Sequence, residues 1–221
     1  MKIILLAAYE MGRQPFGLAS PAAILRREGH EVHCTDLAID RLPAQELSDA
    51  GLVAFHLPMH TATRLAVPVI RTVGAINPAA HLSAYGLYAP LNETLLRSLG
   101  VSSIFGGEFE PLLAALARRL DRGDTVVQPG AEVSFDRVDF AVPDRTGLPG
   151  LDRYARLLGA GSPRIAGYTE ASRGCKHRCR HCPVVPVYEG AFRIVPVEVV
   201  LADVRNQVQA GARHITFGDP D

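Results

Sequence analysis

The sequence predicts an α/β protein: an N-terminal doubly wound parallel sheet, followed by the first strand–helix–strand unit of an incomplete (β/α) barrel. Short apolar runs alternate with segments in which apolar residues recur at helical spacing. The first run, residues 2–8, is almost continuously apolar, which is typical of a strand buried on both faces. The alternation stops between residues 122 and 164, where Gly and Pro are frequent, and resumes afterwards.

The first domain is expected to span residues 1–121. Its predicted strands are 2–8, 32–37, 52–57, 81–85 and 101–105. Its predicted helices are 21–28, 61–76, a short helix capped by Asn92, and 111–120. Ser20 is the expected N-cap of the first helix, Pro21 lies in its first turn and Gly29 ends it. Pro68 should kink the second helix or mark its true first turn. Ligands are expected at the carboxyl ends of the strands.

Residues 122–164 are predicted to connect two domains, with short strands at 125–127 and 138–142. The second unit, 165–221, should contain a strand at 165–169, a cysteine-rich loop, a helix and a strand at 214–217. The helix is predicted from apolar residues at offsets 0, 3, 4, 7 and 11: Val197, Val200, Leu201, Val204 and Val208. One such unit cannot close a barrel. We therefore expect the chain to be the front part of a longer protein, truncated within its second domain.

Composition excludes several classes of protein. Lys and Arg together number 23, as do Asp and Glu, and this balance argues against a nucleic-acid binder or a protein of anionic membranes. The apolar start is too short for a signal peptide, and no stretch approaches the length of a membrane span. The sequence thus predicts a cytoplasmic protein whose four cysteines are reduced.

Three of those cysteines, Cys175, Cys179 and Cys182, crowd into eight residues. Thiolates separated by three and then two residues can bind three irons of one iron–sulfur cluster. The remaining Cys34 lies in the first domain and is expected to be a small buried hydrophobe. One iron would then lack a protein ligand, and an open metal position is typical of catalysis.

The residues around the cysteines fit this chemistry. Positive side chains lower thiol pKa values and offset the negative charge of a thiolate-bound cluster; here they are Arg173, Lys176, Arg178 and Arg180. Solvated charges on an exposed loop are the simpler reading of the same residues. A structural zinc site with His177 or His181 as fourth ligand is the alternative for the whole loop.

With Cys-x3-Cys-x2-Cys placed after a strand, the chain resembles the radical S-adenosylmethionine (radical SAM) enzymes. The resemblance implies a [4Fe-4S] cluster on Cys175, Cys179 and Cys182, and S-adenosylmethionine bound at the open iron. The residue before the last cysteine is usually aromatic in that family and is His181 here, where an imidazole can pack on adenine. Gly218 and Asp219 match the family's Gly-Gly-Glu-like segment, which holds the methionine amino group.

The first domain resembles the cobalamin-binding-type domains that precede the catalytic domain in one radical SAM subgroup. The strand at 2–8, Asn77 and Pro78, and residues 85–89 and 106–110 carry this likeness. The residues that would lie on the cobalamin side are Tyr85, Gly86, Gly106, Gly107 and Glu108. The Asp-x-His-x-x-Gly motif that supplies a histidine to cobalt in some such domains is absent. His56 and His60 stand near the end of the third strand and are more simply read as core or solvated histidines. Cobalamin is therefore a possible cofactor that the sequence does not establish.

Within that subgroup, residues 170–175 and 181–183 look like the branch whose full-length members end in a CUAEP or CCAEP tail. The predicted function is reductive cleavage of S-adenosylmethionine to a 5'-deoxyadenosyl radical, with a small-molecule or peptide substrate that the sequence does not name. An electron donor such as a flavodoxin or ferredoxin is the expected partner, and neither nucleic acid nor membrane is expected. The alternative is a non-catalytic iron–sulfur or zinc-binding module.

Overall fold

A computed structural model describes residues 1–159 and 161–220. The predicted connection contains Ala160 and the predicted second domain ends at Asp221; both residues lie outside the described part of the chain. Six parallel strands form the main sheet in the order β2-β1-β3-β4-β5-β6. They are β1 Lys2–Ala7, β2 Glu31–Asp36, β3 Leu52–His56, β4 His81–Tyr85, β5 Ser103–Gly107 and β6 Glu132–Ser134. The predicted doubly wound sheet is confirmed.

Helices cover both faces of this sheet, which explains the continuous apolar run in β1. They are α1 Phe16–Arg27, α2 Ala44–Leu47, α3 His60–Ile76, α4 Glu93–Ser98 and α5 Glu110–Asp121, with a 3-10 turn at Pro90–Asn92. Ile3 and Leu5 pack into a core shared with α1 and α5. The alternate residues Ile4 and Leu6 pack into a second core beneath α2, α3 and α4.

Helix α1 begins earlier than predicted. It starts at Phe16 after Pro15, so Ser20 lies inside the helix and does not cap it. Pro21 also lies inside, where it cannot donate the usual amide hydrogen bond to the carbonyl four residues earlier. That carbonyl belongs to Gly17, and it accepts a hydrogen bond from the buried Tyr85 hydroxyl at 2.8 Å. A side chain from β4 therefore satisfies the group that proline leaves free.

The predicted strands at 125–127 and 138–142 are wrong, since both stretches lack strand structure. Strand β6 lies between them and extends the main sheet through β5. Gly107 adopts a φ of 65°, and an added Cβ there would lie 2.2 Å from the Ser134 carbonyl oxygen. The close approach of β6 thus depends on a residue without a side chain. Part of the predicted connection belongs to the N-terminal sheet.

The second unit is built around β8 Arg164–Thr169. Strand β11 His214–Phe217 pairs with it in parallel, and β7 Arg156–Leu157 pairs antiparallel on its other side. Strands β9 Ser172–Gly174 and β10 Phe192–Ile194 form a separate antiparallel ribbon. A 3-10 turn at Leu151–Arg153, the short helix α6 Val185–Tyr188 and helix α7 Val197–Gln209 complete the unit.

Helix α7 lies where the sequence predicts it, but it packs through a different face. Of the predicted apolar stripe, Val200 is buried, whereas Val197, Leu201 and Val208 are exposed. The buried polar residues of the helix are Asp203 and Gln207. Asp203 binds Arg145, and Gln207 accepts the Tyr168 amide. Hydrogen bonding, and not apolar content, therefore sets which face of α7 packs inward. Among the helices of the described residues, none has the length and apolarity needed to cross a membrane.

Candidate active site

The β9–β10 ribbon forms the base of the cysteine loop. Gly174 pairs with Phe192, and Cys175 follows directly, so the ribbon fixes where the loop leaves the body of the protein. Gly174 has a φ of 69°, and a Cβ on it would lie 2.2 Å from the Ala191 carbonyl oxygen. Only glycine fits this position without a shift of the backbone. At the other end, Val185 donates its amide to the Cys182 carbonyl, where the chain turns into α6.

The three cysteines of the loop are free thiols. Cys179 is exposed, while Cys175 and Cys182 are half-buried. Cys182 donates its amide to the Cys179 carbonyl at 3.3 Å, so a turn links these two residues. Among the described residues, no three His, Cys, Asp or Glu side chains are grouped so that they could hold a metal ion. Three accessible thiolates are nevertheless the donor set that an iron–sulfur cluster requires, so the residues fit that group.

The basic residues near the cysteines divide into two sets. Lys176 places its ammonium 5.2 Å from the centre of the Phe192 ring, and Arg178 donates to the Glu189 carbonyl at 2.9 Å, both on the loop surface. Arg173 differs, because it is 6% exposed and points into the N-terminal unit. Its charge is matched by carboxylates there. Arg173 is thus set apart from Lys176 and Arg178 by its carboxylate partners, and an effect of its charge on the cysteine thiols stays a prediction.

Arg173 lies at the centre of a buried charge cluster that joins the two units. Two of its guanidinium nitrogens donate to the two Glu110 oxygens, at 2.6 and 2.8 Å. A third donation reaches Glu108 at 3.1 Å, and Nε lies 3.3 Å from Glu170. Ser20 donates to Glu110 at 2.6 Å and accepts from Arg173 at 3.2 Å. The turn from β5 to α5 thereby binds the strand that precedes Cys175.

One arginine faces three carboxylates in this cluster. The pKa values of the three carboxyl groups are therefore shifted in different directions. Burial, together with the nearby Glu110 and Glu10, raises the pKa of Glu170 to about 7, although Arg173 opposes the shift. Burial also raises the pKa of Glu108 against the attraction of Arg173. Burial acts on Glu110 too, but its contacts with Arg173 and Ser20 outweigh burial and lower its pKa. Glu170 is thus the carboxylate that can exchange a proton near neutral pH.

A cavity of about 240 Å³ separates the carboxyl ends of β1, β3 and β4 from β8 and the base of the cysteine loop; we call it the interface cavity. Residues of both units line it. The N-terminal unit contributes Glu10, Phe16, His56, Gly86 and Phe109, and the second unit contributes Tyr168, Glu170, Arg173, Gly174 and Gly218. The cavity lies at the carboxyl edge of the sheet, which is where the sequence predicts a ligand.

The residues predicted to hold S-adenosylmethionine lie in two places. Gly218 lines the interface cavity and donates its amide to the Thr169 carbonyl at 2.9 Å. The Asp219 carboxylate accepts the Ala171 amide at 2.8 Å, so it supports the turn between β8 and β9. His181 lies exposed on the cysteine loop. The structure thus brings Gly218 and Asp219 to the base of the loop and leaves His181 at its outer surface.

The residues predicted on the cobalamin side are mostly in contact with protein. Added Cβ atoms at Gly106 and Gly107 would meet Pro90 at 2.5 Å and Ser134 at 2.2 Å, so protein packing requires these glycines. Glu108 binds Arg173, and Tyr85 donates to α1. Gly86 lines the cavity.

Cobalamin does not fit the interface cavity as it stands. Pockets for drug-sized ligands measure roughly 300–1,000 Å³, and a corrin is larger than such ligands. A bound cobalamin would require the two units to move apart. Cobalamin binding by this chain stays a prediction.

Sequence reasoning missed the pairing of His56 with Glu10. Both side chains are buried and line the cavity, with His56 Nδ1 2.8 Å from Glu10 Oε1. The alignment of these two atoms does not meet hydrogen-bond geometry, and neither has another partner. Glu10 follows a predicted strand, which is the only sequence signal that could have pointed to it. His60 begins α3 at the surface and lies outside this pairing.

Comparisons with known proteins agree with this architecture. The chain is 33% identical over 114 residues to the ribosomal protein uS12 methylthiotransferase RimO of Geobacter sulfurreducens, covering 46% of this chain and 24% of that protein. It is 26% identical over 215 residues to the hopanoid C-3 methylase of Methylococcus capsulatus, covering 90% and 41%. No family model matches the sequence.

Among solved structures, the radical S-adenosylmethionine methyltransferase TsrM of Kitasatospora setae, solved with tryptophan and a SAM analogue, has the same fold. The TM-score is 0.72 at 16% identity, and the match covers all of this chain and 48% of TsrM. A second TsrM structure, with cobalamin and a [4Fe-4S] cluster, gives a TM-score of 0.69. The predicted likeness to radical SAM proteins with an N-terminal cobalamin-binding-type domain is confirmed. The chain spans less than half the length of each of these proteins.

Proposed function

We propose that this chain is the N-terminal part of a radical SAM enzyme in which Cys175, Cys179 and Cys182 bind a [4Fe-4S] cluster. The observation that carries the proposal is a loop of three free thiols, anchored by the β9–β10 ribbon and followed by α7 and a strand parallel to β8. When bound, such a cluster would supply the one-electron reduction that cleaves S-adenosylmethionine to methionine and a 5'-deoxyadenosyl radical. An electron donor such as a flavodoxin or ferredoxin would reduce the cluster.

The chain's own residues position these groups. Gly174 leaves room for the backbone at the start of the loop, and Arg173 ties that start to Glu108 and Glu110 of the N-terminal unit. Gly218 lies at the cavity wall beside the loop base, where we place the methionine end of S-adenosylmethionine. His181 would reach the adenine when the loop folds around the cluster.

Anaerobic reconstitution with iron and sulfide tests the proposal. We expect a four-iron cluster whose electron paramagnetic resonance spectrum, after reduction, changes on addition of S-adenosylmethionine. Cys179→Ala should lose the cluster, whereas Cys34→Ala should retain it, because Cys34 is buried in the first sheet. A colourless protein loaded with one zinc ion would show instead that the loop is a structural metal site.

A further inference from the structure

We propose that the interface cavity binds a compact organic cation, a protonated amine, between the carboxylates of Glu10 and Glu170. The claim that the cavity binds an amine does not depend on the function proposed above. The claim that this amine belongs to the substrate rests on that function. The two carboxylates come from different units, one from the segment after β1 and the other from the end of β8.

Glu10 provides the first part of the argument. Its side chain is about nine-tenths buried and lines the cavity, and its Oε1 lies 2.8 Å from His56 Nδ1. The alignment of these two atoms is not that of a hydrogen bond, and neither has another hydrogen-bond partner. Burying a carboxylate oxygen without a hydrogen bond is costly, and native proteins rarely leave such an atom unexplained. A ligand that donates hydrogen bonds into the cavity would satisfy this oxygen.

The surrounding charges favour a positive ligand. Arg173 forms the ion pairs with Glu108, Glu110 and Glu170, so three carboxylates share one close guanidinium, and Arg193 adds a weaker attraction to Glu108. Glu10 adds another carboxylate to the same cavity. Arg13 and Arg173 also line the cavity, but Arg13 lies over the Tyr168 ring and Arg173 lies among its carboxylates, so an ammonium group between Glu10 and Glu170 would still be attracted.

The aromatic walls of the cavity suit a cation as well. Phe16, Phe109 and Tyr168 line it, and two of these rings already have a guanidinium over their faces. Arg13 lies 4.8 Å from the Tyr168 ring centre, and Arg173 lies 5.7 Å from that of Phe109. Cations are stabilised at such distances. The volume of about 240 Å³ restricts the ligand to a compact molecule.

The position of the cavity assigns its ligand a role. Gly174, which precedes Cys175, and Gly218 both line it. A bound amine would therefore lie beside the loop on which we place the cluster and the cleaved S-adenosylmethionine. This is the place for a substrate that gives up a hydrogen atom, so we assign the amine to the substrate.

Proton release provides a distinctive signature of binding. Because a nearby cation lowers the pKa of a carboxyl group, binding should ionise Glu170, whose pKa is about 7 without ligand. Affinity should then rise between pH 6 and 8. The titratable and charged groups around Glu170 are Arg13, Arg173, Glu10, Glu110, His56, Tyr168 and Tyr188. Glu170→Gln should therefore reduce this pH dependence.

The test is a proton–nitrogen NMR titration of the 221-residue chain with benzylammonium chloride and with benzyl alcohol, its neutral counterpart. We expect the ammonium compound to shift amide signals at the cavity and the alcohol to bind more weakly. Glu10→Gln and Glu170→Gln should each weaken benzylammonium binding about tenfold, since each removes a charged hydrogen-bond acceptor. The matched control is Glu198→Gln, an exposed carboxylate in the first turn of α7.

Equal binding of the two compounds, no binding, or unchanged affinity in both cavity variants would overturn the proposal. The methionine amino group of S-adenosylmethionine has the same chemistry, so a competition arm is needed. If S-adenosylmethionine displaces benzylammonium and Glu10→Gln weakens both, the cavity belongs to that molecule and the substrate assignment is wrong. The titration uses protein without a cluster, so its failure would leave the iron–sulfur reconstitution unaffected.

Discussion

At the scale of single residues, Arg173 does most to fix the position of the cysteine loop, although it is not itself a candidate ligand of the cluster. It stands two positions before Cys175, yet its guanidinium is buried among Glu108, Glu110 and Glu170. Removing one partner from a buried charge cluster leaves the others without compensation, which is far more damaging than losing a surface pair. The location of the cysteine loop therefore depends on electrostatics inside the N-terminal unit.

Arg173→Met should lower the free energy of unfolding by about 3–5 kcal/mol, because the buried Glu108 and Glu110 and the half-buried Glu170 lose their cation. Urea denaturation of the purified chain measures this. Arg180→Met, an exposed residue of the same loop, should change stability by less than about 0.5 kcal/mol. Adding Glu110→Gln to Arg173→Met should recover part of the loss. Equal stabilities of the two arginine variants would contradict this account.

Cys34 should behave differently from the other three cysteines. Burial raises the pKa of its thiol to about 12, so very little thiolate is present at pH 8. We expect iodoacetamide at pH 8 to modify Cys175, Cys179 and Cys182 in the native protein and Cys34 only after denaturation. Peptide mass spectrometry measures the four sites separately. Native modification of Cys34 at the rate of Cys179 would show that β2 opens readily.

At the scale of elements, α1 shows how a helix can depend on its neighbours. Pro21 frees the Gly17 carbonyl, and Tyr85 from β4 binds it. The absence of a side chain on Gly17 also admits the His56 ring, since an added Cβ would lie 2.0 Å from that ring. The cavity wall therefore needs glycine at a helical position where alanine would ordinarily be preferred.

Gly17→Ala should consequently destabilise the protein by about 1–3 kcal/mol through overpacking, despite the higher helix propensity of alanine. The comparison is a double-mutant cycle with His56→Ala, measured by urea unfolding. In the His56→Ala background, Gly17→Ala should be neutral or stabilising, because the ring that it meets is gone. A stabilising Gly17→Ala in the native background would refute the proposed contact.

At the scale of the whole molecule, two arginines each make several polar contacts between the units. Besides Arg173, Arg145 from the connecting stretch binds Asp203 through two nitrogens, at 2.9 and 3.1 Å. It also donates to Gln14 at 2.9 Å and to the Tyr168 carbonyl at 2.8 Å. One residue thus ties the segment before α1 to both α7 and β8. The contact between Arg145 and Asp203 keeps the polar face of α7 packed inward.

Arg145→Met should loosen the second unit while leaving the main sheet intact. We expect amide hydrogen exchange to become at least tenfold faster in β8 and α7, with little change in β1 and β3, because the fully buried Asp203 loses its cation and keeps only Gln207 as a side-chain partner. Hydrogen exchange with mass spectrometry resolves these segments. Arg164→Met, at the exposed start of β8, is the control. A uniform acceleration across both units would mean that they unfold as one.

Local patterns predicted the strands of the first sheet well. Residues 2–8, 52–57 and 81–85 matched observed strands within one residue, because a strand buried on both faces has a simple composition. The start of α1 was predicted wrongly because Pro21 usually marks a first turn, and its compensation comes from Tyr85, far along the chain. Strand β6 was missed because three residues carry too little periodicity to predict a strand.

The sequence by itself determined the α/β class, the two-unit order and the loop of Cys175, Cys179 and Cys182, since these depend on local composition and spacing. Only the tertiary structure decided what Arg173 binds, which face of α7 packs, and that Glu10, His56 and Glu170 share one cavity. Those features join residues from distant parts of the chain. Their energies depend on burial and on partners brought near by folding, which no local pattern records.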